Sequence, residues 1–137
     1  MAKRQEWRRR LDALVADVSG WVEPEWAAKP YPKKLRDADG EIYEVPALFI
    51  QKGPIRLLLD PIAYDAPGSE GVVDLYLMPT YDDAASLHLV DGQWRIHYVF
   101  DDGSDAPEGK RTEVLELSEV TLNKVLDAIA NHAVPSF

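Results

Sequence analysis

The stretch Ala85–Phe100, ASLHLVDGQWRIHYVF, decides the fold class. At its centre stands Asp91-Gly92, a pair that tolerates the positive backbone angles of a two-residue type I′ turn. Apolar residues alternate on both sides: Ala85, Leu87 and Leu89 before the turn, then Trp94, Ile96, Tyr98 and Phe100 after it. Folding at the turn sets Leu89 opposite Trp94, Leu87 opposite Ile96 and Ala85 opposite Tyr98. All six share one face, so turn chemistry and hydrophobic pattern specify the same hairpin. The other face carries Ser86, His88, Arg95 and His97.

The alternating period continues outward from this hairpin. Tyr43, Val45, Ala47 and Phe49 mark one strand, Ile55, Leu57 and Leu59 a second beyond the Lys52-Gly53 turn, and Val73, Leu75 and Leu77 a third. Asp60-Pro61 reads as a strand end, Ala66–Gly71 as a loop, and Asp65–Gly68 as a turn within that region. Downstream, the polar run Asp101–Lys110 precedes a sixth strand candidate over Thr112–Leu117.

At both ends of the chain the period becomes helical. Trp7, Leu11, Leu14, Val15, Val18 and Val22 form one stripe, which predicts a helix over Lys3–Val18 with Ser19-Gly20 as its stop. Leu122, Val125, Leu126, Ile129 and Ala133 predict a second helix over Thr121–Ala133, capped by Ser118 or Thr121. Trp21–Gly40 reads as a connector rich in Pro, Trp and Lys. The expectation is an α+β fold with a mainly antiparallel, curved sheet of five or six strands. An N-terminal and a C-terminal helix pack on one face of it. One domain covers 1–137, divided into helix 1–20, connector 21–40, sheet 41–117 and helix 118–134. The loops are too short for βαβ crossovers.

Composition narrows the function classes. A chain of 137 residues with 46% hydrophobic content can bury a core without disulfides or a structural metal. It has no cysteine, which excludes thiol catalysis, thiolate zinc and iron–sulfur ligation. The net charge of −9 disfavours a nucleic-acid partner, because phosphate backbones repel an acidic surface. No segment has the apolar length of a signal peptide or a spanning helix, which points to a cytoplasmic location and no membrane partner. Charge is segregated: residues 1–36 hold nine Lys/Arg and five Asp/Glu, whereas residues 60–110 hold two and eleven.

Four groups of residues merit weighing as sites. His88 and His97 are diagonal neighbours on the polar face of the hairpin, near Asp82 and Asp83, a set suited to zinc or to a catalytic base. Against this, alternating polar residues are normal on a solvated strand, and Arg95 repels a cation. Glu44, Asp60 and Asp74 lie on the face opposite the core. Converging, they would hold a divalent ion for hydrolysis, of phosphoesters for example; otherwise they are ordinary strand acids. Asp101, Asp102, Asp105 and Glu108 surround Gly103-Ser104 with oxygen donors but lack the spacing of a calcium loop. Trp21, Trp26 and Tyr31 lie beside Lys29, Lys33, Lys34 and Arg36, which suits stacking on an anionic ligand or packing beneath a basic rim.

Phosphate-loop, dinucleotide, nucleophile-elbow and HExxH motifs are absent, so the sequence implies no cofactor and no metal. Residues 91–96, DGQWRI, resemble the final hairpin of cone-shaped α+β domains related to nuclear transport factor 2. The likeness covers six residues and fits any such hairpin. That family opens with several helices and ends on long strands, so the order of elements differs and no family is assigned. The leading expectation is a noncatalytic protein- or ligand-binding or adaptor module, either monomeric or a homodimer. Its binding surface combines Trp21, Trp26 and Tyr31 with Arg56, Leu58, Tyr76 and Met78 from the mixed sheet face, where Val72 and Asp74 also lie. The alternative is a divalent-metal hydrolase using Glu44, Asp60 and Asp74, with His88 or His97.

Overall fold

A computed structural model describes residues 2–64, 67–101 and 110–133. The chain runs α1 (Ala2–Val22), β1 (Ala27–Arg36), β2 (Ile42–Lys52), β3 (Ile55–Ala63), β4 (Gly71–Leu77), β5 (Asp82–Val90), β6 (Gln93–Asp101), β7 (Lys110–Glu116) and α2 (Glu119–Ala133). Among the described residues, the seven strands form one antiparallel sheet in sequential order. The expected α+β meander between two terminal helices is therefore present, with seven strands where the pattern predicted five or six.

The strand that the pattern missed comes from the expected connector. Two prolines hide it, yet β1 is an edge strand, where a missing donor is tolerable. Pro32 lies opposite Pro46 of β2, and the β2–β3 pairing starts only at Leu48↔Leu59. A pair whose N–H vectors point away from each other therefore loses no ladder bond at either proline. The buried alternation of β2 also changes here. Val45 is buried, but further along the strand Leu48 and Ile50 face the core and Phe49 faces outward, contrary to the predicted Tyr43-to-Phe49 alternation. Asp60-Pro61 does not end β3; a register shift after Pro61 lets the strand continue to Ala63.

The helix stripes are as the spacing predicts. Trp7, Leu11, Leu14, Val15, Val18 and Val22 of α1 join Leu122, Val125, Leu126 and Ile129 of α2 in one cluster with the inward residues of the sheet. Helix α1 passes through Gly20 to Val22, because burial of Val22 outweighs the roughly 1 kcal/mol helix cost of glycine. At α2 the Ser118 hydroxyl accepts the Thr121 N–H at 3.2 Å, while Thr121 Oγ1 accepts the Ser118 N–H at 2.9 Å. This reciprocal cap makes Ser118 the N-cap.

Arg4 ties α1 to the turn between β1 and β2, donating to Asp37 at 2.6 Å and Glu41 at 2.7 Å. The Tyr64 hydroxyl also donates to Asp37, at 3.2 Å. Trp7 lies between Tyr64 and Trp94, each ring centroid 6.3 Å away, and its indole fills the space above Gly71. A Cβ on Gly71 would stand 2.5 Å from Trp7 Cζ3. The Gly71→Ala variant is expected to lose about 1–3 kcal/mol by overpacking, measured by urea denaturation. An unchanged midpoint would contradict this seating of Trp7.

Candidate functional site

The hairpin begins as the sequence predicts. Asp91 and Gly92 have φ of 51° and 75°, and the register includes Leu89↔Trp94 and Leu87↔Ile96. It then stops at Ser86↔His97, and the expected Ala85↔Tyr98 pair does not form. From there, among the described residues, β5 pairs only with β4, and β6 only with β7. The cause lies on the β4 side. Leu75 pairs with Ala85 and Tyr76 with Asp83, which leaves Ala84 as an extra residue. Such a bulge bends and overtwists its own strand, and here β5 turns away from β6.

The resulting fork is a cleft of about 760 Å³. Leu77, Ala85 and Ile129 contribute apolar surface, while Asp74, Asp82, Asp83, Ser86 and His97 contribute the polar groups. No Lys or Arg is among its described lining residues.

One polar row crosses the outer face of the sheet through this cleft. Asp60 lies opposite Asp74, Asp74 opposite Ser86, Ser86 opposite His97, and His97 opposite Val114. Like charges directly opposite are unfavourable. Lys33 offsets this pair with its Nζ 2.7 Å from Asp60 Oδ1, and it also donates to the Pro61 carbonyl at 2.8 Å. Asp74 accepts the Tyr76 hydroxyl at 3.0 Å. Burial is the largest reason the Tyr76 pKa is pushed up to about 12; the bond to Asp74 and the charges of Asp74, Asp60 and Asp83 add to it. A neutral, donating phenol thus stands beside the cleft. His97 stacks against His88 with ring centroids 4.2 Å apart, and the Ser86 hydroxyl lies 3.1 Å from His88 Nε2. Burial first, then the charges of His88 and Arg95, hold the His97 imidazole below the usual histidine value of 6.5.

Other expected site residues fall elsewhere. Glu44 sits opposite Lys34, in a separate groove with Arg8, Asp12, Tyr31 and Pro32, so it does not join Asp60 and Asp74. Among the described residues, no three His, Asp or Glu side chains gather as metal ligands. Trp26 is completely buried in the core rather than presented on a connector. Trp21 is half-buried, packed on the core, with its carbonyl 3.3 Å from Asn123 Nδ2. Tyr31 stays 43% exposed and packs on Phe49.

Phe49, Leu58 and Tyr76 form a row across β2, β3 and β4 on the outer face. Leu58 is nevertheless buried, and the Arg56 guanidinium lies 4.2 Å from the Phe49 ring centroid. Met78 follows β4 directly, and its N–H bond to the Arg56 carbonyl, at 2.9 Å, carries the β3–β4 contact one residue past Leu57↔Leu77. Residues 102–105 and 108 of the acidic run, and residues 65 and 66 of the expected turn, lie outside the described residues.

Pattern reading missed the parts of the cleft supplied by Ala84, Val99, Thr112 and Ile129. The available signal was Asp82-Asp83-Ala84-Ala85-Ser86, where alternation fails for a full turn of the strand pattern. Comparison with protein-family models, curated proteins and solved structures gave no match.

The lowered His97 pKa fixes a direction for acid stability. The neutral ring is favoured on folding, so its contribution is complete above the unfolded value of 6.5 and is lost as pH falls through the lower folded value. In a pH series of urea melts, His97→Gln is expected to flatten the acid-side loss of stability. A slope equal to that of the parent would contradict this environment.

Proposed function

We propose that this chain is a noncatalytic binding module whose ligand sits in the cleft between β5 and β6. One observation carries the reading: the sheet divides to form an apolar-floored cleft with Asp74, Asp82 and Asp83 at its rim and no Lys or Arg among its described lining residues. Its size falls within the roughly 300–1,000 Å³ range common for ligand sites. Apolar surface with a few placed polar groups is the usual composition of such sites, and the rim charge favours a cationic group.

A hydrolase reading has weaker support. Of its expected carboxylates, Asp60 is held by Lys33, Asp74 is bonded to Tyr76, and Glu44 lies in another groove.

The test is a heteronuclear NMR titration with alkyl- and arylammonium fragments, and with carboxylate fragments of matched size as controls. Saturable shifts at Asp74, Asp82, Asp83, Ser86 and His97 are expected for the ammonium set alone. An Asp82→Asn, Asp83→Asn double variant is expected to weaken them about tenfold, about 1.4 kcal/mol. Shifts confined to the Tyr31–Pro32 groove, or equal response to both sets, would contradict the assignment.

A further inference from the structure

The fork has a backbone side as well as a side-chain side. Counting from the closing Val90↔Gln93 pair, alternate residues of β6 turn their N–H and C=O toward β5. His97 meets Ser86 in this way; Val99, two residues on, has no β5 partner. Its side chain is 50% exposed, and on its other side β6 stays paired with β7 through Val99↔Thr112 as far as Asp101↔Lys110. Among the described residues, the fork therefore presents a supported strand with an open pairing edge.

We propose that the cleft takes an extended peptide segment bearing lysine or arginine, which adds as a short strand against β6 at Val99. This rests on the binding-module reading and names its ligand class. Strand addition supplies main-chain bonds, while pockets for alternate side chains supply selectivity. The two faces of the fork differ in chemistry. Outward side chains of an added strand lie on the face of Asp74, Asp83 and His97, where a cation is complemented. Inward side chains lie toward Leu77, Ala85 and Ile129, which suit apolar groups. The segment recognised thus alternates basic and apolar residues. Of this chain's own bases, Lys33 is held by Asp60, and Arg95 stands opposite His88 on the paired side of His97, toward the turn, rather than on the Asp82-Asp83 side of the fork.

The experiment titrates the intact chain with acetyl-Lys-Val-Lys-Val-Lys-amide. Two controls are a version N-methylated at alternate peptide bonds on its pairing edge and a version with Glu replacing Lys. The expected result is saturable binding of the lysine peptide, with exchange of the Val99 amide slowed by about tenfold or more. N-methylation should weaken binding about tenfold or more, and the glutamate peptide should not bind. Equal affinity for the methylated and unmethylated lysine peptides would overturn strand addition. So would a response to ammonium fragments without a response to the peptide; in both cases the cleft itself stands as a cation site. Loss of both responses removes the binding-module reading too. Protection of Val99 without peptide, rising with protein concentration alongside dimer formation in sedimentation, would overturn the peptide assignment in favour of a second copy.

Discussion

One extra residue in β5 governs the architecture that matters most. Leu75 pairs with Ala85 and Tyr76 with Asp83, so Ala84 has no counterpart in β4. A bulge bends its strand, and past this one β5 follows β4 while its pairing with β6 ends. The hairpin holds from its turn to Ser86↔His97 and then opens. On one side β5 stays with β4, and on the other β6 stays with β7. The cleft is therefore framed by regular sheet, a more exact support for a binding surface than a loop alone.

Charge placement gives the cleft its character. The positive surplus at the start of the chain is used partly within the molecule: Arg4 holds the acidic β1–β2 turn, and Lys33 holds Asp60. Lys52 pairs with Glu25 at 2.6 Å and lies over the Trp26 ring. The acid-rich middle of the chain keeps Asp74, Asp82 and Asp83 around the fork with no Lys or Arg among the described lining residues. Exposed ion pairs are individually weak, about 0–1 kcal/mol. Their importance here lies in position: they join elements of the fold, while no ion pair among the described residues engages Asp74, Asp82 or Asp83 directly.

Much of the fold was legible because local and long-range requirements agreed. Trp7-to-Val22 spacing gave the buried stripe of α1, and Asp91-Gly92 with its alternating flanks gave the β5–β6 hairpin near its turn. Legibility failed where tertiary context overrode local pattern. Pro30 and Pro32 concealed an edge strand, and Pro61 lies inside β3 beside a register shift. The site was less legible than the fold. His88 and His97 did come together, as did Asp60 and Asp74. Glu44 did not join Asp60 and Asp74, and Trp26 lies in the core rather than on a binding surface, since sheet order and strand curl decide such placements. The opening at Ala84 depends on β4 register, which alternation within β5 alone does not encode.

The most direct test of this account compares amide exchange at His97 and Val99 in the free protein. Both residues turn their N–H toward β5, but only His97 has a partner there. His97 is expected to be protected in common with the closed part of the hairpin, while Val99 exchanges faster by about an order of magnitude or more. Equal protection in the monomer would mean that β5 and β6 stay joined past Ser86, and would contradict the cleft on which the proposed function depends.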